Sequence, residues 1–161
     1  MEFYALPQPE EIAEREKEDA MGAYLMMFAA VAVGLPLPII NLIASVVYYF
    51  VNRKKSRFIH FHCLQALLSQ IPTTLINWVV VIWAVRIFFT DLTLNNTFWA
   101  AVVFAGVSTL IYFVIGIIAA YKARQGKMYY LLFFGKLSYE AAYRVKAQDE
   151  NPAEPVNQPP F

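Results

Sequence analysis

Hydrophobic and charged residues are sharply segregated along this chain. Three stretches, residues 20–52, 58–85 and 92–121, contain no Asp, Glu, Lys or Arg and are rich in Leu, Ile, Val and Phe. Uncharged apolar runs of this length exceed the ~18 residues that mark a candidate transmembrane helix. The pattern therefore predicts an all-α, polytopic helical membrane protein.

The first of these runs is too long for a single straight span. As one helix its 33 residues would measure about 50 Å, against a hydrocarbon core of about 30 Å. The segment from Gly34 to Pro38 reads GLPLP, and a glycine followed by two prolines breaks a helix. We therefore expect two short spans, at about 18–34 and 37–52, with one bent helix as the alternative.

Two further spans follow, each beside a segment that we place in the membrane interface. Because Pro72 lies inside the next run, we expect an interfacial helix over 57–70 that bends into a third span over 71–89. The fourth span is predicted over 98–121, and an interfacial segment over 122–147 follows it. The predicted fold thus has four transmembrane helices, an interfacial helix before the third and an interfacial segment after the fourth.

The ends of the chain are expected to lie outside the bilayer. Residues 1–19 carry seven acidic and two basic side chains and are predicted to form a soluble helical segment. Residues 148–161 are polar and Pro-rich, which predicts an extended tail after a single membrane domain over 20–147. With four spans, twelve of the thirteen Lys and Arg residues lie on one side and only Arg86 on the other. This asymmetry is typical of a cytoplasmic face, so both termini are expected in the cytoplasm.

Basic side chains next to the spans are expected to contact lipid headgroups. They lie before the third span and after the fourth. The set is Arg53, Lys54, Lys55, Arg57, Lys122, Arg124 and Lys127. The lipid bilayer is therefore the first expected partner.

Residues 57–70 read RFIHFHCLQALLSQ and bring two histidines and the only cysteine close together. A protein zinc site needs three or four ligands, and on a helix only His60 and Cys63 share a face. A proton relay normally uses intramembrane acids, which these spans lack. An interfacial anchor for the third span requires nothing further, so no catalytic, cofactor-binding or metal-binding residue is predicted.

Two short motifs in this chain occur together in a known family. They consist of a phenylalanine-histidine-x-x-glutamine-alanine sequence after a basic linker and a glycine followed by an aromatic pair. The matching residues are Arg57, Phe61, His62, Gln65, Ala66, Gly126, Tyr129 and Tyr130. They resemble the Tic-like family, which comprises the small membrane subunit of the chloroplast inner-envelope Tic translocon and its bacterial relatives of unassigned function.

The resemblance covers about residues 20–145 and implies four transmembrane helices with both ends on one side. The arginine that usually precedes the phenylalanine-histidine pair is His60 here. The acidic N-terminal segment lacks transit-peptide composition, which favours a bacterial member. We therefore expect a multi-pass protein of the bacterial inner membrane, with the chloroplast inner envelope as the alternative.

The leading functional hypothesis is a non-enzymatic accessory or scaffold subunit of a larger membrane complex. The resemblance links such a subunit to protein translocation. Other membrane subunits are expected to contact its tails and its small-residue helix faces, such as Ala101 with Ala105, and no nucleic acid is expected. The alternative is a small channel or transporter that acts as an oligomer. An intramembrane enzyme would depend on Cys63 with a neighbouring histidine, and a buried structural cysteine explains that residue more simply.

Overall fold

Helices make up nearly all of the computed structural model, which describes residues 3–32, 37–90 and 93–145. An isolated antiparallel bridge joins Phe3 to Arg144. The elements are α1 (Glu14–Leu25), a 3-10 turn (Met26–Phe28), α2 (Ala29–Ala32), α3 (Pro38–Asn52), α4 (Arg57–Phe89), α5 (Asn96–Arg124) and α6 (Leu132–Tyr143). The all-helical prediction is confirmed for this part of the chain.

Side-chain caps and a glycine define the ends of the two long helices. Ser56 caps α4 by accepting a hydrogen bond from the backbone N–H of Ile59 at 3.2 Å. Asn95 caps α5 in the same way, with the N–H of Phe98 at 2.8 Å. After α5 the chain turns at Gly126, whose φ of +73° lies in the left-handed region that glycine adopts without a steric penalty. The two caps fix where α4 and α5 begin, and Gly126 turns the chain after α5 ends.

Helices α4 and α5 are long and apolar enough to cross a membrane. They have 33 and 29 residues, with mean hydropathy of 1.7 and 2.5 over their most apolar windows. Only 6% and 11% of those windows are buried inside the protein. A core helix of a soluble protein would be mostly buried, so this exposure favours a lipid environment. The predicted spans over 71–89 and 98–121 lie within these two helices.

Helix α3 over 38–52 matches the predicted helix over 37–52 to within one residue, but neither α1 nor α3 has the length of a membrane span. Helix α1 has 12 residues and α3 has 15, which gives about 18 and 22 Å against a hydrocarbon core of about 30 Å. Of the predicted break at Gly34 to Pro38, only its last two residues are described, and Pro38 begins α3. Two helices of spanning length are therefore present in the described residues, and the predicted total of four is not shown. The tail over 148–161 lies outside the described residues.

Helix α4 covers both the predicted interfacial helix over 57–70 and the predicted span over 71–89, and it runs without interruption through Pro72. A proline removes one backbone hydrogen bond from a helix, so a bend near Pro72 needs no break in α4. The first half of α4 is buried in the protein, with Phe58 2% exposed and Ile59 0% exposed. It packs against α1 and α6. The interfacial position of 57–70 stays a prediction.

The N-terminal helices form a hairpin against α4 and α5. At its open end, Lys55 forms a 2.7 Å ion pair with Asp19, and the Tyr48 hydroxyl donates to the Asp19 carbonyl at 2.9 Å. Near its tip, the N–H of Ala30 donates to the side-chain oxygen of Asn41 at 2.6 Å. Helices α1 and α2 therefore run antiparallel to α3. We call residues 14–32 and 38–52 the N-terminal hairpin.

Candidate functional site

A group of buried polar side chains lies where α1, α4 and the segment before α6 meet. Helical spacing of three residues puts His62 and Gln65 on one face of α4. Both are 0% exposed, and they face Tyr24 of α1, which is 2% exposed. We call Tyr24, His62 and Gln65 the polar centre.

Gln65 makes the hydrogen bonds that join the three parts of the polar centre. Its amide nitrogen donates to the Tyr24 hydroxyl at 2.7 Å and to the backbone carbonyl of Tyr129 at 2.8 Å. Its amide oxygen accepts from the backbone N–H of Leu131 at 3.1 Å. One side chain thereby fixes α4 to α1 and to the chain that leads into α6.

His62 contacts Tyr24 through one of its two ring nitrogens. Its Nδ1 lies 3.0 Å from the Tyr24 hydroxyl, and the tautomer of the imidazole decides which of the two groups donates. Its Nε2 has no hydrogen-bond partner among the described residues. The rings of Phe58 and Phe61 lie edge-on to the imidazole, at centroid distances of 4.5 and 4.9 Å. The imidazole is thus enclosed by aromatic rings and is closed to a substrate.

Two glycines allow helices to approach one another near the polar centre. A Cβ atom on Gly135 of α6 would lie 2.8 Å from the Cα of Tyr130 and 3.0 Å from the amide oxygen of Gln65. A Cβ atom on Gly116 of α5 would lie 2.6 Å from the sulfur of Met27. At Gly135 the contact is with a backbone atom, so close packing there depends on glycine, whereas at Gly116 the flexible end of the Met27 side chain can move aside.

The two motifs singled out in the sequence meet in space. The Tyr130 ring lies edge-on to Phe61 at 5.4 Å, and the carbonyl of Tyr129 accepts from Gln65. Ala66 is buried beside them, and Gly126 makes the turn after α5. Phe61, His62, Gln65 and Ala66 are at most 2% exposed inside the protein, and their position relative to the membrane interface stays a prediction. Apolar residues are solvated equally well by lipid or by a protein interior, and the sequence pattern does not distinguish the two.

The three potential metal ligands of the opening motif diverge. His60 faces α3, where its Nε2 lies 3.2 Å from the Tyr49 hydroxyl, whereas His62 faces α1. Cys63 is a buried free thiol. The described residues bring no three of His, Cys, Asp and Glu close enough to hold a metal ion.

Charged groups gather at the open end of the N-terminal hairpin. Arg124 at the end of α5 pairs with Glu14 at 2.6 Å and with Glu18 at 3.3 Å. Hydrogen bonds from Lys17 and Arg124 lower the pKa of the Glu14 carboxyl from 4.5 to about 2. The acidic helix expected to be free in water is therefore docked on α5.

The basic residues predicted to contact lipid headgroups lie at this same end of the protein. The Arg53 guanidinium stacks 4.8 Å from the Phe50 ring centroid, and that of Arg57 lies 3.4 Å from the Tyr4 centroid. Lys55 and Arg124 are engaged in ion pairs. Contact of Arg53, Lys54, Lys55, Arg57, Lys122, Arg124 and Lys127 with lipid stays a prediction.

Uncharged polar side chains inside the apolar runs form hydrogen bonds between helices, as this type of residue predicts. Ser45 of α3 donates to Gln70 of α4, and Asn77 of α4 donates to Thr109 of α5 at 2.8 Å. The available signal was an uncharged polar residue within an apolar run, which indicates an interhelical hydrogen bond without naming its partner.

Comparison with protein families overturns the resemblance to the Tic-like family, and the chloroplast alternative falls with it. The resemblance depended on short motifs, and most of their residues serve internal packing here, a requirement that unrelated helical membrane proteins share. Neither the curated proteins nor the solved structures gave a match. The model of a different family matches residues 16–137, from the first turn of α1 to the middle of α6. The chain therefore belongs to the MamF/MmsF family, the magnetosome magnetite crystal formation protein family.

Proposed function

We propose that this protein is a non-enzymatic, membrane-embedded component of the magnetosome membrane that supports magnetite crystal formation through contacts with other membrane subunits. Family membership supports the compartment and the process. The magnetosome membrane derives from the bacterial inner membrane, which agrees with an apolar helical protein.

The observation that carries this proposal is the apolar outer surface of α4 and α5. Large hydrophobic side chains on these helices are 46–83% exposed. Examples are Val79, Ile82, Val85 and Phe88 on α4, and Val103, Val107, Leu110 and Val114 on α5. A surface of this kind requires lipid or another protein to cover it. In a membrane complex, lipid and neighbouring subunits can both cover this surface.

The interior of the protein favours a structural role over catalysis. Catalysis requires a nucleophile, base or metal that a substrate can reach. The side chains of the polar centre bond to one another and to backbone groups, and Cys63 is 2% exposed. The buried polar side chains therefore hold helices together.

Deletion and complementation in a magnetosome-forming bacterium test the proposal. We expect electron microscopy to show fewer or smaller magnetite crystals in the deletion strain and normal crystals after complementation. The protein should stay in the membrane pellet after alkaline carbonate extraction. Normal crystals in the deletion strain, or release by carbonate, would overturn the proposal.

Two further measurements separate a subunit from an enzyme. We expect Cys63→Ser to complement the deletion fully, because a non-enzymatic protein does not need the reactivity of this thiol. Complete loss of complementation at normal protein levels would contradict the non-enzymatic role. Mild detergent extraction followed by affinity capture should recover other membrane proteins, and a monodisperse protein recovered alone would contradict the role as a subunit.

A further inference from the structure

A cavity of about 250 Å³ lies beside the tip of the N-terminal hairpin, between α3, α4 and α5. Most of its lining surface is apolar, and uncharged polar side chains of α3, α4 and α5 contribute the rest. The lining residues are Ala30, Leu37, Pro38, Asn41, Gln70, Thr73, Thr74, Asn77, Thr109, Tyr112 and Phe113. None of them carries a formal charge at neutral pH.

Bonds between helices use only part of the polar capacity of this lining. Asn41 accepts from Ala30, and the Asn77 amide nitrogen donates to Thr109 and to the Thr73 carbonyl, both at 2.8 Å. The amide nitrogen of Asn41, the amide oxygen of Asn77 and the hydroxyl of Thr74 bond to no other described residue. Donors and acceptors thus remain available to an occupant of the cavity.

The backbone at the tip of the hairpin also needs hydrogen-bond partners. Leu37 is extended, with φ −96° and ψ 121°, and α3 begins at the next residue. Non-helical backbone within a membrane is tolerated where it is buried in protein or lines a water-filled cavity. A lipid chain offers no hydrogen bond, and an unpaired polar group in hydrocarbon costs several kcal/mol.

Contacts along α4 place the cavity near the middle of that helix. The open end of the hairpin lies at Lys55, just before α4, whereas its tip reaches Asn77. Helix α4 continues for another twelve residues to Phe89, or about 18 Å. Beyond the tip, Trp83 packs edge-on to Phe98 at 5.7 Å and fills the space between α4 and α5.

We propose that this cavity is a hydrated pocket that binds ordered water, ends at the Trp83–Phe98 contact, and completes the hydrogen bonding at the tip of a hairpin that enters and leaves the membrane by one face. At about 30 Å³ per molecule the volume holds several waters. Each water bridges donors and acceptors that the helices leave unpaired.

Neighbouring residues of opposite orientation allow a direct test by thiol labelling. Thr74 lines the cavity and is 6% exposed, whereas Leu75 faces outward and is 60% exposed. Both lie at the same depth in α4. Methanethiosulfonates react with the thiolate, which forms only where water reaches the sulfur.

The experiment uses the full chain with Cys63→Ser, reconstituted in phospholipid vesicles made leaky so that the reagent reaches both faces. We expect aminoethyl methanethiosulfonate to modify Thr74→Cys at least tenfold faster than Leu75→Cys. A ratio below ten would overturn the proposal, because Thr74 would then face a dry environment or another protein.

A second pair of variants keeps the test valid if Thr74→Cys fails to fold. On α5, Thr109 lines the same cavity and Leu110 faces outward with 64% of its surface exposed. The same tenfold ratio is expected for Thr109→Cys over Leu110→Cys, and a smaller ratio overturns the proposal. In a well-folded variant, fast labelling of Ala105→Cys, which is 3% exposed and lies between Phe98 and Thr109 along α5, would contradict a pocket that ends at Trp83 and Phe98.

Discussion

Replacement of Gln65 by leucine should be the most informative single change in the polar centre. The substitution keeps the size of the side chain and removes three hydrogen bonds, to Tyr24, Tyr129 and Leu131. At about 1 kcal/mol for each bond, the loss is about 3 kcal/mol, and unpaired buried groups at Tyr129 and Leu131 add to it. For a chain of this length, about 2–4 °C per kcal/mol predicts a fall in Tm of about 6 °C or more.

Circular dichroism in detergent micelles measures this change through the loss of helical signal on heating. Thr73→Val is the matched control, because it keeps the shape of the side chain and removes a hydroxyl that donates to the Gln70 carbonyl of the same helix at 2.9 Å. The control should lose less than about 1 kcal/mol. If Gln65→Leu lowered Tm no more than Thr73→Val, the polar centre would not be the link that joins α1, α4 and α6.

Three other changes test separate parts of the fold. Gly135→Ala should lower Tm because its Cβ would meet backbone atoms, and a Tm equal to that of the parent would show that α6 can shift at no cost. Gly126→Ala should cost about 1 kcal/mol at its left-handed φ, measured by the same unfolding assay; an unchanged Tm would argue against that turn. The folded-state pKa of Glu14 lies below 4.5, so the ionised carboxylate stabilises the fold above pH 4.5, and this contribution is lost as pH falls toward 2. Glu14→Gln should therefore lower Tm at pH 6 and have no effect near pH 2, and a difference that persists at pH 2 would exclude the contacts with Lys17 and Arg124 as its cause.

The two longest helices could be predicted because charge is excluded from lipid over a known distance. Residues 71–89 and 98–121 were placed by that rule and lie within α4 and α5. The same rule does not tell whether a shorter apolar helix spans the membrane. The run over 37–52 has the composition of a span, but its helix has only 15 residues. Helix length depends on where neighbours end, and those neighbours are distant in sequence.

The candidate site was only partly accessible to sequence reasoning. His62 and Gln65 stood out as polar residues in an apolar stretch, but their partner Tyr24 lies 41 residues before Gln65. Aromatic residues are common in apolar runs, so nothing marked Tyr24 as a hydrogen-bond partner. The same ambiguity applies to Phe61, because hydrophobic character predicts burial without indicating whether lipid or protein covers the side chain.

The contact between Phe3 and Arg144 bears on how the chain matures. The N–H of Tyr4 donates to the carbonyl of Tyr143 at 2.9 Å, across almost the whole described length. A ribosome synthesises residues in order, so the N-terminal segment cannot pair with the end of α6 until α6 has been synthesised. Insertion of the long helices can precede this step, but closure of the domain must follow the synthesis of α6.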